Sequence, residues 1–343
     1  IDRNIIATRT AYGFSSVDED GQTLQISREV FNFDPDVTEE NFGPLSPQFL
    51  ANNADTLINT RLLDPGIVSP TYSRLEVERD QFRFATDLDV DRYEIDGEDR
   101  LVIVAARELN LSGVRSGWEN QHVSFTHGYG LAIAPANAVT GVGEPNFLVS
   151  SLPTAIDDSI NVGLGENVSL QPRIYIGEGL GGYAIVNTER CEVDFPLQGG
   201  APIVDEDSPD VDGAECPTGG SNQEFRYDGA DGVEAGGLVR RLAFALRFQD
   251  LNPIFSGLIG DDSKFIFNRD VQTRVRELAP FLDFDADSYP AIIDGRVVFI
   301  IDAYTTTNNY PYAQNADRSS LPAGSDLRGS FNYVRNSVKV VVD

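Results

Sequence analysis

Two stretches of the chain run apolar or alternating for long enough to predict strands, and each carries a turn signal in its middle. Arg92-Tyr-Glu-Ile95 leads into Asp96-Gly97-Glu98-Asp99 and then Leu101-Val-Ile-Val-Ala-Ala106. Ala291-Ile-Ile293 leads into Asp294-Gly295 and then Arg296-Val-Val-Phe-Ile-Ile-Asp302. An Asp-Gly pair takes the left-handed backbone of a tight two-residue turn, so both stretches read as antiparallel hairpins. Shorter strands are predicted over 123–126, 129–134, 147–149, 173–176, 183–186, 331–334 and 337–342.

Apolar residues at helical spacing predict helices over 4–12, from Ser46-Pro47 to Leu63, over 237–249 and over 269–278. Pro47 suits a first helical position, and Asp64-Pro65-Gly66 reads as the stop of that helix. Between Phe14 and Pro47 the chain reads as loop, broken at Asp34-Pro35 and Gly43-Pro44. The run from Gly237 to Asp250 is the most informative. Leu238, Leu242, Ala245 and Leu246 mark one face, and Phe244 lies between Arg240 and Arg247 on another. Apolar on most sides, it predicts a central, buried helix. Its arginines, Arg240, Arg241 and Arg247, are then expected to be partly buried and paired with acids, because an unpaired buried charge costs several kcal/mol. Hairpins with a few helices, and no repeating βαβ pattern, predict an α+β fold of mostly antiparallel sheet with a few packed helices. There is no internal repeat at a fixed period.

Charge is the outlier in the composition. Fifty-four acidic residues face 26 basic ones, for a net charge of -28, and Lys264 and Lys339 are the only lysines. That balance opposes phosphate backbones and anionic headgroups, which argues against nucleic acid as a partner. An Asp-rich, Lys-poor surface also stays soluble at high ionic strength, where salt screens its self-repulsion. No apolar stretch approaches the roughly 20 residues that span a bilayer. The start at Ile1, without Met or a signal peptide, suggests trimming, and the final strand, running to Asp343 without a turn, suggests a folded unit that continues. Cys191 and Cys216 flank a polar stretch rich in Gly, Pro and Asp. A disulfide closing it would stabilise by roughly 3 kcal/mol in an oxidising compartment, against the alternative of two free thiols in a cytosolic protein. The acidic segment 191–224 then separates two possible halves, 1–190 and 225–343.

Candidate chemistry is sparse. Gly177-Glu-Gly-Leu-Gly-Gly182 has the spacing of a dinucleotide-binding turn. Tyr183-Ala-Ile-Val-Asn-Thr188 then reads as a strand where a helix is required, so the glycines are taken as a hairpin turn and no cofactor motif remains. Asp283, Asp285 and Asp287, and likewise Asp87, Asp89 and Asp91, set three carboxylates on alternate residues. In an extended loop such a run can wrap calcium, although neither run is an EF-hand. The first is the better metal candidate, and alternate acids are equally what the solvent face of a strand looks like. His122 and His127 lie five apart in a strand-like context, which points them to opposite faces and argues against a shared metal. His127 is a candidate general base, or a structural histidine bonded to backbone. Tyr304 to Tyr312 is an aromatic, polar stretch that suits either a ligand-binding loop or a packing edge.

Several segments together resemble Uncharacterised Protein Family 0182, a set of large bacterial membrane proteins. They are Arg3-Asn-Ile-Ile-Ala-Thr-Arg-Thr-Ala-Tyr-Gly13, Thr60-Arg-Leu-Leu-Asp-Pro65, Asp89-Val-Asp-Arg-Tyr-Glu-Ile-Asp-Gly97, Ala106-Arg-Glu-Leu109, Thr126-His-Gly-Tyr-Gly130, Leu238 to Phe248, Ile301-Asp-Ala-Tyr-Thr-Thr306 and Asn332 to Asp343. The resemblance implies a bundle of transmembrane helices followed by a large extracytoplasmic region in the cell envelope, of which residues 1–343 would be the first part. It implies no catalytic residue. The stretch between the cysteines looks like an insertion relative to the family. The expectation is therefore a membrane-anchored envelope domain that binds or assembles with envelope proteins. A metal-dependent envelope enzyme and a released subunit of a surface assembly are the alternatives.

Overall fold

Both Asp-Gly turns form as predicted, with Asp96 and Gly97 at φ 52° and 82° and Asp294 and Gly295 at φ 50° and 76°. In the computed structural model, the described residues are 59–77, 79–164, 169–197, 216, 222–317, 319, 321, 324–327 and 329–343, with two short strands at 15–17 and 23–25. The chain divides into two compact units, Ile1–Leu57 and Ile58–Asp343. In the first, β1 (Ser15–Val17) and β2 (Thr23–Gln25) pair antiparallel, where the sequence suggested only loop. The helix predicted over 4–12 lies outside the described residues.

The second unit begins with α1 (Pro65–Glu76), β3 (Phe82–Arg83), β4 (Asp89–Ile95), β5 (Glu98–Ala106) and β6 (Glu108–Leu109). A π-helical turn, Asn120–Ser124, precedes β7 (Gly128–Tyr129), β8 (Leu131–Pro135), β9 (Val149–Ser150), β10 (Ala155–Ile156) and β11 (Ile160–Asn161). Then come β12 (Arg173–Ile174), β13 (Tyr183–Val186), β14 (Glu192–Pro196), β15 (Asn222–Phe225) and β16 (Val233–Glu234). The chain closes with α2 (Leu238–Phe248), α3 (Asn252–Phe255), β17 (Lys264–Phe267), α4 (Val271–Leu278), β18 (Asp283–Ile293), β19 (Arg296–Thr307) and β20 (Tyr333–Val342). Every ladder between these strands is antiparallel, so the fold is the expected α+β.

A six-stranded sheet in the order β10-β9-β8-β5-β4-β11 is covered on both faces. Val102 and Val104 of β5 and Leu131 and Ile133 of β8 face the three-stranded sheet β18-β19-β20, meeting Phe284, Phe299 and Ile301. Val271 and Val275 of α4 join the same core. On the other face, Ile103, Ala105, Ala132 and Ala134 pack under Val68 and Tyr72 of α1. Side chains alternate between the faces of a strand, so two covered faces explain why β5 and β8 read as unbroken apolar runs. The small alanines under α1 let the fully buried Tyr72 approach until its hydroxyl reaches the carbonyl of Ile103 at 3.2 Å. Residues from both possible halves, 1–190 and 225–343, share the larger core.

Three expectations change. Asp64-Pro65-Gly66 begins a helix and does not end one: Asp64 caps α1, its Oδ1 accepting from the amides of Gly66 (3.0 Å) and Ile67 (3.3 Å). Pro65 fits that first turn because the N–H it lacks would have no helical partner there. Of the helix predicted before it, residues 59–63 are not helical and the rest lies outside the described residues. The glycines of 177–182 do not close a hairpin, since β12 pairs with β7 while β13 pairs with β17. They form a passage between two sheets.

The third change concerns α2. The helix forms, but it is not central. Phe244 packs against Tyr183 and Phe265 and Ala245 is buried beside it, while Leu238, Val239, Leu242 and Leu246 face outward. Helical spacing marks apolar faces without saying which of them the fold covers. Arg240 is exposed and pairs with Glu234 at 2.8 Å. Arg241 is half-buried and donates to the carbonyls of Ile259 and Gly260. Arg247 is exposed, its guanidinium 4.8 Å from the centre of the Phe267 ring. The deeply buried arginines are Arg107 and Arg269.

The N-cap gives a direct test of the reassigned helix start. Asp64→Ala is expected to lower stability by about 1 kcal/mol in urea denaturation. An unchanged midpoint would contradict the cap.

Candidate functional site

Alternation in two short strands builds the site. In 173–176, Ile174 and Ile176 turn into the main core, which sends Arg173 and Tyr175 the other way. In β14, Val193 and Phe195 alternate with Glu192 and Asp194, and all four are buried. The two sets meet. Arg173 holds Asp194 with both arms of its guanidinium, Nε to Oδ1 at 2.8 Å and Nη2 to Oδ2 at 2.7 Å. The Tyr175 hydroxyl donates to Glu192 Oε2 at 2.9 Å.

His127 is inserted between the two acids and is fully buried. Its Nε2 lies 2.9 Å from Asp194 Oδ1, and its Nδ1 lies 2.9 Å from the Thr126 hydroxyl and 3.4 Å from Glu192 Oε2. The Thr126 hydroxyl gives its one proton to Glu192, so it accepts from Nδ1. A carboxylate oxygen accepts, so Nε2 also donates. Donation from both ring nitrogens favours the imidazolium form. Burial alone would lower its pKa, but the bonds to Asp194 and Glu192 hold it above its ordinary value. Against the cost of its own burial, Asp194 is kept below the usual carboxylate range by Arg173 and His127.

Arg269 closes the network from behind. It is 1% exposed, and donates to the carbonyls of Tyr175 (2.9 Å) and Thr126. Burial pulls its pKa down to about 10. On the solvent side, Arg173 and Tyr175 form part of the wall of a groove of about 440 Å³. Tyr227 packs edge-on against Tyr175 with ring centres 5.1 Å apart, and the Arg173 guanidinium sits 3.4 Å from the centre of the Phe225 ring. The same groove is also lined by Phe265 to Asn268, by Arg274, Glu277 and Leu278 of α4, and by Gly232 and Val233. Lys264 Nζ holds the 229–231 turn in place through the carbonyls of Gly229 (2.8 Å) and Ala230 (3.0 Å).

The residues singled out from sequence are placed differently. His122 and His127 belong to separate networks: His122 donates from Nδ1 to the Tyr183 carbonyl at 2.7 Å and stacks on the Tyr183 ring at 4.1 Å. His122 lies in a π-helical turn, where a strand was expected, and His127 is bonded to acids. Asp283 accepts from Thr306 at 2.8 Å and Asp285 from Tyr304 at 3.2 Å, so these two serve the β18–β19 pairing. Asp287 lies in the bulged stretch of β18 between Phe284 and Ser288 and shares an acidic neighbourhood with Asp87, Asp89 and Glu178. Among the described residues no group of three or more His, Cys, Asp or Glu is arranged to hold a metal ion. Tyr304 thus belongs to a strand, while Tyr310 stacks on Tyr333 at 4.8 Å. Cys191 and Cys216 form the expected disulfide, and the acidic segment they bound begins with a buried strand. The signal for it was there: Glu192-Val-Asp-Phe alternates acid with apolar, as Arg173-Ile-Tyr-Ile alternates polar with apolar.

The acidic neighbourhood stores protons. Burial, then Glu178 and Asp287, push Asp89 up to about 9. Burial raises Glu108 to about 8 and Glu178 to about 7. Each folded value lies above the unfolded one, so stability from these groups is full below about pH 4 and is lost as pH rises through the folded values. His127 acts in the same direction, stabilising below its unfolded value and less as pH rises past its folded one. Asp194 and Asp250, both lowered, stabilise above about pH 4 and lose that as the medium becomes more acidic. The melting temperature is therefore expected to fall between about pH 5 and about pH 9, and Asp89→Asn to raise it at the alkaline end and flatten the slope. A melting temperature that rises over that range would contradict the buried protonated acids.

No solved structure matches this chain. The model of an uncharacterised protein family, UPF0182, matches residues 1–343. A UPF0182 protein of Rhodococcus opacus is 38% identical over 369 residues, covering 100% of this chain and 33% of its own length. Those of Kineococcus radiotolerans and Streptomyces coelicolor are 36% and 35% identical, again over the full chain and over 31% of their own lengths. The chain thus spans about a third of the relatives it matches. It belongs to the uncharacterised protein family UPF0182.

Proposed function

We propose that this chain is a binding domain within a larger envelope protein, held on the extracytoplasmic side of the membrane, with the groove beside Arg173 and Tyr175 as its ligand site. The observation that carries the reading is how the reactive groups are used. His127 has both ring nitrogens committed, and Glu192, bound through Oε2, and Asp194 are each 1% exposed, out of reach of a substrate in the groove. A general base needs a free lone pair within reach of its substrate. What faces the groove is aromatic and aliphatic surface with a few polar groups, Arg274 and Glu277 among them, which is the make-up of a binding site. An amphipathic ligand with an apolar or aromatic body and a polar end fits that lining. The location is supported by the disulfide, since such bonds persist in oxidising compartments, and by relatives long enough to carry an anchor elsewhere. Among the described residues no helix is long and apolar enough to cross a membrane.

Two measurements bear on this. In a thermal-shift screen of amphipathic small molecules, a ligand at about 100 times its Kd should stabilise the protein by about 2.7 kcal/mol. Val233→Trp, at a half-exposed position on the groove wall, should abolish that shift with the unliganded melting temperature unchanged. Hits indifferent to the substitution would remove the groove from the reading. Native protein taken from cells should resist thiol alkylation until reductant is added. Free Cys191 and Cys216 in that material would contradict an extracytoplasmic location.

A further inference from the structure

Two residues of the groove wall are also the ends of the buried network. Arg173 and Tyr175 line the groove, and behind the wall Arg173 is bound to Asp194 and Tyr175 to Glu192. Between those acids lies His127, fully buried, with its ring 5.0 Å from that of Tyr175. Asp194 Oδ1 accepts from Arg173 Nε at 2.8 Å and from His127 Nε2 at 2.9 Å, so the guanidinium and the imidazole share one oxygen. Glu192 Oε2 accepts from Thr126 and from Tyr175, and the Thr126 hydroxyl accepts in turn from His127 Nδ1. One ring is thus coupled through two acids to both groove residues.

We propose that His127 is a proton switch for the groove: the charged ring holds the wall at Arg173 and Tyr175 in its binding shape, and loss of the proton releases it. The proposal rests on the groove being the ligand site. A proton lost from Nε2 would set a lone pair against Asp194 Oδ1 at 2.9 Å. One lost from Nδ1 would turn the Thr126 hydroxyl toward the ring and away from Glu192, leaving Tyr175 as the donor to Oε2. By either route the two buried carboxylates keep Arg173 as their cation and lose the imidazolium. A buried charge without compensation is costly enough to move its side chain or admit water. Either acid, in moving, takes a groove residue with it. The other groups around the ring keep their charge as pH rises. Tyr175 and Tyr129 are pushed up, Tyr129 to about 12, and stay neutral. Asp194 is held low and Arg173 high, and Arg269, on the Thr126 carbonyl, is pulled down to about 10. The imidazole, which the two acids hold above its ordinary value, is charged at low pH and gives up its proton as pH rises.

The test is an NMR titration of the whole chain from about pH 5 to about pH 9. The two histidines separate, because burial puts His122 below the ordinary value while the acids put His127 above it. The ring signals of Tyr175 and Tyr227 are expected to shift with the midpoint of His127. In parallel, anilinonaphthalene sulfonate, an aromatic body with an anionic end, is titrated into the protein, and its groove-bound part is the part that Val233→Trp removes. Where the charged form is the one that binds, the apparent Kd of that part rises about tenfold per pH unit above the midpoint. His127→Gln keeps a donor and an acceptor without a charge to lose, and should flatten this dependence. Asp89→Asn, in the separate acidic neighbourhood, should leave it unchanged. If the glutamine variant does not fold, the titrations of the parent protein decide alone. Tyrosine signals indifferent to His127, a His127 ring that does not titrate over this range, or groove binding independent of pH would each overturn the switch. Binding indifferent to Val233→Trp, or no binding of the probe, would count instead against the groove as its site, with the switch then decided on the tyrosine signals.

Discussion

His127, Asp194 and Glu192 are buried and Arg173 reaches them from the groove wall, and each is tolerated because the others are in place. Two cations meet two carboxylates, and Thr126 and Tyr175 both donate to Oε2 of Glu192. Taking one partner out of such a set leaves an uncompensated buried charge, which costs about 3–5 kcal/mol. The participants come from β12, β14 and the segment that ends the π-helical turn, so the network fastens three pieces of chain that share little ladder. It also sets the groove, because the same alternation that aims Arg173 and Tyr175 at the acids aims Ile174 and Ile176 into the main core. Arg269, donating to the carbonyls of Tyr175 and Thr126, ties this network to the start of α4.

The same molecule carries the opposite arrangement a short way off. Around Asp89, Glu178 and Asp287 the acids have acids for neighbours, and burial with that repulsion raises all three, Asp89 to about 9 and Glu178 to about 7. A fold this acidic thus handles burial in two ways, by pairing where cations are available and by protonation where they are not. Asp283 and Asp285 are bound to Thr306 and Tyr304 across the β18–β19 ladder, whereas Asp287 is raised by burial and by the charges of Asp87 and Asp285. Three acids on alternate residues looked like one ligand set. A bulge in β18 and the cross-strand hydroxyls divide them.

Much of the architecture was legible. The two Asp-Gly hairpins, the mostly antiparallel α+β character, the helices over 238–248 and 271–278 and the disulfide all follow from local pattern. Turn chemistry and side-chain period act within a few residues, so a few residues reveal them. Legibility ended where one pattern serves two outcomes. Asp-Pro-Gly stops a helix or caps the next one, depending on which side the chain continues to coil. Apolar residues all round α2 look alike whether a second face is covered or open. For the site, Glu192-Val-Asp-Phe and Arg173-Ile-Tyr-Ile displayed the right alternation, but nothing in either run named the other as its partner.

By itself the sequence determined the strand periods, the tight turns, the cysteine pair, the family and a charge balance hostile to nucleic acid. Each depends on neighbours in the chain or on simple totals. Only the tertiary structure decided which arginines are buried, which acids are pushed up and that the neighbouring acids hold His127 toward its charged form. Those are properties of an environment. A guanidinium or a carboxylate has the same intrinsic chemistry at every position, and burial with or without a counter-charge is what separates Arg269 from Arg240 and Asp194 from Asp89.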